Sequence, residues 1–387
     1  MEIIEVTGKK LAEEFHNVPD KIYKDDPNYI PFLRPMVENT FNPLENSKFK
    51  NGDARRWVLK DRDGYTGRIA AFFDDDYSSG YEQPTGCIGF FECTDNREAS
   101  FMLFDTAREW LKKNGMEAMD GPVNFGENFF FWGLLVEGFK PMTFGMQYNP
   151  PYYRRLFEEY GFRTYYEQYS YSMDISSPDL PDRFWKIAAW VAKKPDYSYE
   201  HFTFKNRDKY VRDFVKIHEL AWSGHSNYKP ASEDQLKEMI RQARIILEEE
   251  FIWFVYHKGM PVAFYMMIPD INQIISKLKS GKMNWINIIK LLYYKKIKII
   301  SRCRVIVLGV VPQFQKLGIE SGIFYQLKQV MLKKPWYNDM EMSWVGDFNP
   351  KMNALFKSFG ANRTLTHLTL RYLFDRKKEF VRAQIVN

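Results

Sequence analysis

Cysteine is scarce in this chain of 387 residues. The three cysteines, Cys87, Cys93 and Cys303, are too few for a disulfide framework, so the sequence favours a reducing compartment. The six histidines are scattered, and no group of cysteines and histidines has the spacing of metal ligands. The sequence therefore predicts neither structural disulfides nor a metal site.

Long apolar runs and a strong excess of one charge are also missing. No uninterrupted apolar stretch approaches the roughly 20 residues of a membrane-spanning helix. The first residues, MEIIEVTGKK, lack the basic and apolar regions of a signal peptide, so we expect a cytoplasmic protein. The formal net charge of +6 is small, which gives no support for a nucleic-acid partner and suits a small polyanionic ligand.

Residues 302–334 have the pattern of an anion-binding strand, loop and helix. Residues 305–311 are an apolar, largely β-branched run, typical of a strand buried on both faces. The helix expected after Gly318 has one apolar stripe, formed by Ile319, Ile323, Phe324, Leu327, Val330 and Met331. Unpaired backbone N–H groups and the helix dipole at such a helix start favour a bound anion.

The order of the predicted elements repeats between the two halves of the chain. The hairpin residue Ala71 has a counterpart in Ala263, 192 residues later, and the helix-ending Gly161 has one in Gly360, 199 residues later. Similar offsets with the same element order indicate a duplicated unit.

Each repeat is predicted to be one unit of the fold. The boundary is placed so that the units are residues 1–176 and 177–387. In each unit an Asn-Pro pair, at Asn149 and Asn349, is expected to cap the last helix. Residues 233–250 are expected to form one continuous helix of the second unit.

Two motifs of the second unit resemble those of the GNAT (Gcn-related N-acetyltransferase) superfamily. Gln315 and Gly318 stand at the first two positions of a loop similar to the superfamily's Gln/Arg-x-x-Gly-x-Gly/Ala pattern. Residues 341–361 resemble its second motif, with Asn349 before the aromatic Phe356. The resemblance implies an α/β (α+β) fold of two GNAT-like units, each a mixed, largely antiparallel sheet flanked by helices.

The resemblance also implies a cofactor, acetyl-CoA or another acyl-CoA. Its pantetheine arm would lie in a gap between two parallel strands, where the N–H group of Val310 or Val311 would polarise the acyl carbonyl. The implied cofactor-binding residues are Leu308, Gly309, Val310, Val311, Gln315, Lys316, Leu317, Gly318, Ile319, Glu320, Ser321, Asn349 and Phe356. The first unit has no Gln-x-x-Gly loop, so it is expected not to bind coenzyme A.

Two residues depart from the superfamily pattern. Glu320 stands where glycine or alanine is usual, and its carboxylate would repel a diphosphate unless the side chain turns away. Phe356 stands where many members have a tyrosine that protonates the leaving thiolate, and phenylalanine has no proton to donate. Another hydroxyl or water must then serve, or the reaction is not acetyl transfer.

The candidate catalytic residues are Glu341, Asp347 and His225. Acyl transfer to an amine needs a general base, and the two acids flank the strand expected at the gap. The alternative interpretation is that each acid is a solvated residue at a strand end, and that His225 is an exposed residue of a polar loop. The aromatic residues 128–132 are a candidate wall of the acceptor pocket, or part of the core.

Residues 271–304 contain nine basic residues and no acidic residue. A basic amphipathic segment of this kind is typical of contact with an anionic membrane or an acidic partner. The favoured interpretation is instead a pair of inserted helices that cap the sheet, with their lysines in water. A third interpretation is that some of these lysines approach the 3′-phosphate of coenzyme A.

The sequence therefore predicts an acyl-CoA-dependent N-acyltransferase that transfers an acetyl or other acyl group. The acceptor would be a small-molecule or peptide amine bound between the units. The alternative is a catalytically inactive GNAT-fold binding protein, associated with an anionic membrane surface through residues 271–304. A third hypothesis is a peptidyl-type transferase of the Fem family, which uses aminoacyl-tRNA, and the modest charge gives it little support.

Overall fold

The structure of the protein is a computed structural model. It describes residues 1–126, 128–176, 180, 182–222, 231–278 and 280–385. The strands are β1 Glu2–Glu5, β2 Gly52–Asp61, β3 Gly64–Asp74, β4 Thr85–Cys93, β5 Ala118–Gly121, β6 Leu134–Glu137, β7 Arg163–Asp174, β8 Tyr197–His201, β9 Ile252–His257, β10 Met260–Pro269, β11 Arg302–Val310, β12 Asp339–Gly346 and β13 Asn362–Leu373. The helices are α1 Lys9–Ile22, α2 Arg34–Thr40, α3 Asp75–Ser78, α4 Arg97–Lys113, α5 Tyr153–Tyr160, α6 Asp182–Ala192, α7 Arg207–Trp222, α8 Glu233–Gln242, α9 Asn272–Leu278, α10 Trp285–Lys296, α11 Ile319–Lys333 and α12 Pro350–Ser358.

The strands join one 13-stranded sheet. Their order is β1-β2-β3-β4-β5-β13-β7-β12-β11-β10-β9-β8, and β6 pairs with β13. Within the described chain, β4–β5 and β11–β12 are the parallel pairs, and the other pairs are antiparallel. The predicted fold class, mixed and largely antiparallel sheet flanked by helices, is confirmed.

The two halves of the chain exchange their last strands. The last strand of the first half, β7, pairs with β12 of the second half. The last strand of the second half, β13, pairs with β5 of the first half. Since β7 and β13 also pair with each other, the sheet runs without a break through both halves. The unit boundary at residue 176 stays a prediction.

The predicted apolar stripe of α11 faces the core of the second half. Its buried side chains are Ile319, Ile323, Phe324, Leu327 and Val330. Burying one side chain of this size stabilises a fold by about 1.5–3 kcal/mol. The buried side chains hold α11 against the core. This packing fixes the position of Gly318, which precedes the helix at the end of the loop from β11.

The two Asn-Pro pairs have different roles. Asn349 caps α12 as predicted, since its side chain accepts a hydrogen bond from the Met352 N–H group at 3.1 Å. The prediction for Asn149 is wrong. Its side-chain amide instead bonds the N–H and C=O groups of Leu135 on β6, at 2.7 and 3.1 Å. These two hydrogen bonds satisfy both backbone groups of a buried strand residue, whereas a helix cap would satisfy one N–H group.

The predicted helix over residues 233–250 is shorter than expected. It ends at Gln242 and is followed by two short 3-10 turns. The chain leaves the helix so that Glu248 accepts hydrogen bonds from Lys334 and from the hydroxyl of Tyr337. These partners lie far along the chain, and local helix propensity carries no information about them.

A buried ion pair joins the exchanged strand β13 to β5. Arg371 donates through Nε and Nη2 to the two carboxylate oxygens of Asp120, at 2.6 and 2.7 Å, and the two side chains are 6% and 0% exposed. Replacing Arg371 by methionine leaves the Asp120 carboxylate buried without its cation. We expect Arg371→Met to lower the free energy of unfolding by about 3–5 kcal/mol in urea denaturation.

The matched control is the exposed ion pair between Lys378 and Glu117, which joins the same two regions. Lys378→Gln should lower the free energy of unfolding by at most about 1 kcal/mol, because water already solvates both groups. Equal losses in the two variants would contradict the role assigned to the buried pair.

Candidate functional site

The strands β11 and β12 separate near the middle of the sheet. They pair in parallel from Arg302–Asp339 to Val305–Met342 and no further. A β-bulge at Ile306 increases the local twist of β11, which continues beside β10. Past the same point β12 continues beside β7. A gap therefore opens between the two parallel strands, the kind of gap that the resemblance implied for a pantetheine arm.

One backbone edge of β11 faces this gap. The N–H group of Val311 donates to the C=O group of Val262 on the β10 side, at 2.9 Å. Because backbone groups alternate along a strand, the N–H group of Val310 points to the opposite side, into the gap. The C=O group of Val310 accepts a hydrogen bond from Nε2 of Gln315, at 3.1 Å. Of the two predicted carbonyl polarisers, only Val310 has its N–H group on the gap side.

The loop after β11 ends at a helix start without a side-chain cap. Gly318 precedes α11 with φ of 79° and ψ of 15°, a left-handed conformation that glycine adopts readily. Among the described residues, no hydrogen-bond acceptor contacts the N–H groups of Leu317, Gly318 or Ile319. Such unpaired N–H groups, together with the helix dipole, suit the oxygens of a phosphate.

Glu320 lies at the side of this helix start. Its side chain is half-buried, and its carboxylate accepts a hydrogen bond from its own N–H group. Burial raises the pKa of Glu320, while the hydrogen bond lowers it. The carboxylate thus occupies one N–H group and adds negative charge beside the remaining three. The carboxylate of Glu320 therefore lies beside the helix start, but it leaves the N–H groups of Leu317, Gly318 and Ile319 without a partner among the described residues.

The equivalent gap of the first half is filled by the chain itself. The N–H group of Val123 donates to the C=O group of Ile88 on β4. A Cβ atom on Gly89 would lie 1.9 Å from the carbonyl oxygen of Val123, so the segment after β5 runs directly against β4. The start of α4 is also capped, because the side chain of Asn96 accepts from the N–H group of Ala99. That the first half binds no coenzyme A stays a prediction.

A buried polar cluster lies at the base of the open gap. Arg304 and Glu341 are neighbours in the β11–β12 register, and both are fully buried. Arg304 donates to Oγ of Ser343 at 2.5 Å and to the C=O groups of Phe144 and Phe129 at 2.6 and 2.7 Å. Burial lowers the pKa of Arg304 to about 10, and nearby carboxylates act in the opposite direction. The predicted aromatic wall, residues 128–132, thus contributes a backbone carbonyl to this cluster.

Glu341 has one engaged and one unpaired carboxylate oxygen. Its Oε1 accepts a hydrogen bond from the hydroxyl of Thr143, at 2.5 Å. Its Oε2 is buried and has no hydrogen-bond partner among the described residues, with Nζ of Lys140 4.0 Å away. Glu341 thus has one buried carboxylate oxygen, Oε2, whose capacity to accept a hydrogen bond is unused within the described chain.

The structure does not bring the two predicted catalytic acids, Glu341 and Asp347, together. Asp347 follows β12, about 20 Å along the strand from Glu341 at the usual rise per residue. Its Oδ1 accepts from the N–H group of Glu167 and its Oδ2 from Arg382. His225 lies outside the described residues. Glu341 is thus the predicted acid that lies at the gap.

Tyr171 is a residue of this region that the sequence did not reveal. The ring of Phe356 is buried and packs edge-on against the ring of Tyr171, with 5.6 Å between centroids. The hydroxyl of Tyr171 donates to Oδ1 of Asn353 on α12, at 2.8 Å. A phenol from the exchanged strand β7 therefore stands beside the position at which the superfamily pattern has a tyrosine. No local signal marks Tyr171, because only the strand exchange places it there.

A cleft of about 460 Å³ opens between the two halves of the chain. Its walls are Pro27, Ile30 and Pro141 from the first half, and Gln273, Ser276, Ser301, Arg302, Asn338 and Asp339 from the second. Arg302 and Asp339 precede Arg304 and Glu341 by two residues, so they lie on the same face of the sheet. This size is within the usual range for small-molecule sites.

The basic insert forms the helices α9 and α10, as the favoured interpretation predicted. They precede β11, whereas the Gly318 loop follows it, about 30 Å away at the usual rise of a strand. The lysines of the insert therefore lie at the opposite end of β11 from Gly318, and their approach to the 3′-phosphate of coenzyme A stays a prediction. Across the described residues, no helix combines the length and apolarity needed to cross a bilayer.

Comparison with known proteins begins from sequence. No protein-family model matches the chain. It is 26% identical over 364 residues to Protein YghO of Escherichia coli K12, covering 92% of this chain and 90% of that protein. It is 25% identical over 380 residues to the bacterial ceramide synthase of Caulobacter vibrioides, covering 95% and 96%.

Comparison of structures shows the fold. A tandem GNAT protein from the clavulanic acid biosynthesis pathway matches with a TM-score of 0.60 and 11% identity. The match covers 97% of this chain and 99% of that one. The prediction of a tandem GNAT-like protein is confirmed at the level of the fold.

The position of Glu320 predicts how the charge on this side chain affects anion binding. Glu320→Gln removes a negative charge beside the helix start, so we expect coenzyme A to bind about 3- to 10-fold more tightly, on the order of 1 kcal/mol. Isothermal titration calorimetry with coenzyme A measures this change. Glu320→Asp keeps the charge and should bind like the original protein. Unchanged affinity in Glu320→Gln would show that the anion does not approach this helix start.

Proposed function

Because the chain has the tandem GNAT fold, we propose that it is an acyl-CoA-dependent N-acyltransferase. The observation that carries this proposal is the gap between β11 and β12, which leads to an uncapped helix start at Gly318. The similarity to a bacterial ceramide synthase adds support, since a ceramide is formed by acylating an amine. These similarities support acyl transfer in general, and the assignment of an acyl-CoA donor is our own.

The residues around the gap fit an acyl-CoA. The N–H groups of Leu317, Gly318 and Ile319 would hold the pyrophosphate, for which they are correctly placed at a helix N-terminus. The gap-facing backbone of Leu308 and Val310 would bind the pantetheine arm as an additional strand would. When bound, the acyl-CoA supplies a thioester carbonyl, which would lie at the end of the gap near Arg304 and Glu341, about 20 Å along β11 from Val310.

Glu341 would act as the general base. An amine attacks a carbonyl only after losing its proton, and the unpaired Oε2 of Glu341 is placed to accept that proton. The hydrogen bond from Thr143 to Oε1 holds the carboxylate in one orientation.

Tyr171 would protonate the leaving thiolate, a role that Phe356 cannot perform. Its ring packs against Phe356 and its hydroxyl donates to Asn353 on α12, while its strand β7 pairs with β12 on the side away from β11. Burial raises the pKa of Tyr171, so the phenol keeps its proton at neutral pH. The amine acceptor would enter through the cleft between the two halves, where Asp339 offers a carboxylate to its ammonium group.

The cofactor assignment is tested by calorimetry with coenzyme A and acetyl-CoA. We expect one site per chain, and at least about 10-fold weaker binding by Gly318→Asp, which introduces a carboxylate and strains a left-handed position. Gly115→Asp is the matched control, because Gly115 also has a positive φ of 82° and open space around it. No binding by the original protein, or equal binding by Gly318→Asp, would remove the assignment.

The roles of Glu341 and Tyr171 are tested by thiol release from acyl-CoA in the presence of an amine panel. Glu341→Gln should lower kcat/KM by about 10²- to 10⁴-fold, while its affinity for coenzyme A stays unchanged. Tyr171→Phe should lower kcat more than it changes KM, because only the departure of the thiolate is affected. A larger loss in Asp347→Asn than in Glu341→Gln would transfer the role of base to Asp347.

A further inference from the structure

The helix α10 turns its apolar side toward solvent. Its exposed apolar residues range from 44% exposed in Ile286 to 71% in Trp285, and also include Ile289, Leu292 and Tyr293. At 3.6 residues per turn these five side chains fall within an arc of about 120°. Ile297, directly after the helix, extends the same exposed surface.

The opposite side of α10 holds the helix to the protein with few apolar groups. Its buried residues are Leu291 and Asn287, whose side chain donates to the C=O group of Lys282. Nζ of Lys295 donates to the C=O group of Ile245. A surface helix of a globular protein normally directs its apolar stripe to the core. The inserted helical pair is present as predicted, and Ile274, Ile275 and Leu291 join the core, but the exposed apolar residues of α10 do not cap the sheet.

Lysines surround the exposed apolar surface. Lys290 and Lys296 are exposed on α10, and Lys298 follows it with Nζ 3.8 Å from the centre of the Trp336 ring. Residues 271–304 contain no acidic residue; Glu248, Glu249 and Glu250 line one cavity together with Lys296 and Lys298, and Lys290 does not line that cavity. A second copy of this chain would bring the same cations face to face, which is unfavourable. An anionic surface is the complementary partner.

We propose that this surface, the α10 face, binds an anionic lipid bilayer. The α10 face consists of Trp285, Ile286, Ile289, Leu292, Tyr293 and Ile297, with Lys290, Lys296 and Lys298 around them. The helix lies in the plane of the membrane, with its aliphatic side chains at the acyl boundary and its aromatic rings among the headgroups. Its lysines contact the lipid phosphates.

This inference goes beyond the proposed acyl transfer and does not require it. Membrane contact depends only on α10, whereas cofactor binding depends on the Gly318 loop at the other end of β11. The two properties can therefore be measured separately, and the failure of one leaves the other standing.

Co-sedimentation of the full chain with vesicles tests the proposal. We expect binding to phosphatidylcholine vesicles that contain about 30 mol% phosphatidylglycerol, little binding to phosphatidylcholine alone, and loss of binding at high salt. Ile289→Glu with Leu292→Glu should weaken binding by at least about 100-fold, and Lys290→Gln with Lys296→Gln by about 10- to 30-fold. Coenzyme A affinity and thermal unfolding, compared with the original protein, check that each variant is folded.

Two further variants separate the α10 face from exposed aromatic residues in general. Trp190→Glu changes a tryptophan that is 64% exposed on α6, near the start of α11 and away from α10, and should bind vesicles like the original protein. Trp285→Phe should still bind, but should lose the quenching of tryptophan fluorescence by brominated lipid in the vesicles. Binding that survives the glutamate pair on α10 would overturn the proposal.

Sedimentation velocity without lipid tests whether a second copy of the chain, instead of a membrane, covers the α10 face. A monomeric original protein that binds anionic vesicles agrees with the proposal. A dimer that Ile289→Glu converts to monomer, without any vesicle binding, would show that a second copy covers α10 and would overturn it.

Discussion

The hydrogen bonds of the exchanged strands are the constraint on which the site depends. When β11 and β12 separate, each loses backbone partners on one side, and unpaired buried backbone groups are costly. β11 keeps β10 on its outer side, and β12 keeps β7, a strand from the other half of the chain. The gap can stay open because both of its strands have a second partner. Without β7, the separated end of β12 would be unpaired on both sides.

The strand exchange also gives the two halves of the chain different structural roles. The first half has closed its own gap with Val123 and capped its own helix start with Asn96, so it offers no room for a phosphate. It contributes side chains to the other half instead, Thr143 on Glu341 and Tyr171 beside Phe356. The degenerate repeat is therefore part of the site that we propose.

Sequence predicted the features that depend on neighbours along the chain. The strand, the glycine turn and the apolar stripe of α11 follow from local conformational preference and periodicity, and Asn349 caps its helix by a contact three residues away. Features set by distant contacts were missed or wrong. Asn149 bonds β6 rather than its helix, and Tyr171 reaches α12 only through the strand exchange. Propensity and motif spacing contain no information about these partners, which lie 14 residues away for Asn149 and 182 for Tyr171.

The position of β13 at the C-terminal end of the chain has a consequence for biosynthesis. The first half is translated well before β13, yet the edge of β5 pairs with that strand. A ribosome-bound nascent chain therefore carries an open sheet edge until the last residues of β13 leave the exit tunnel. Such an edge is a template for unwanted strand pairing until β13 covers it.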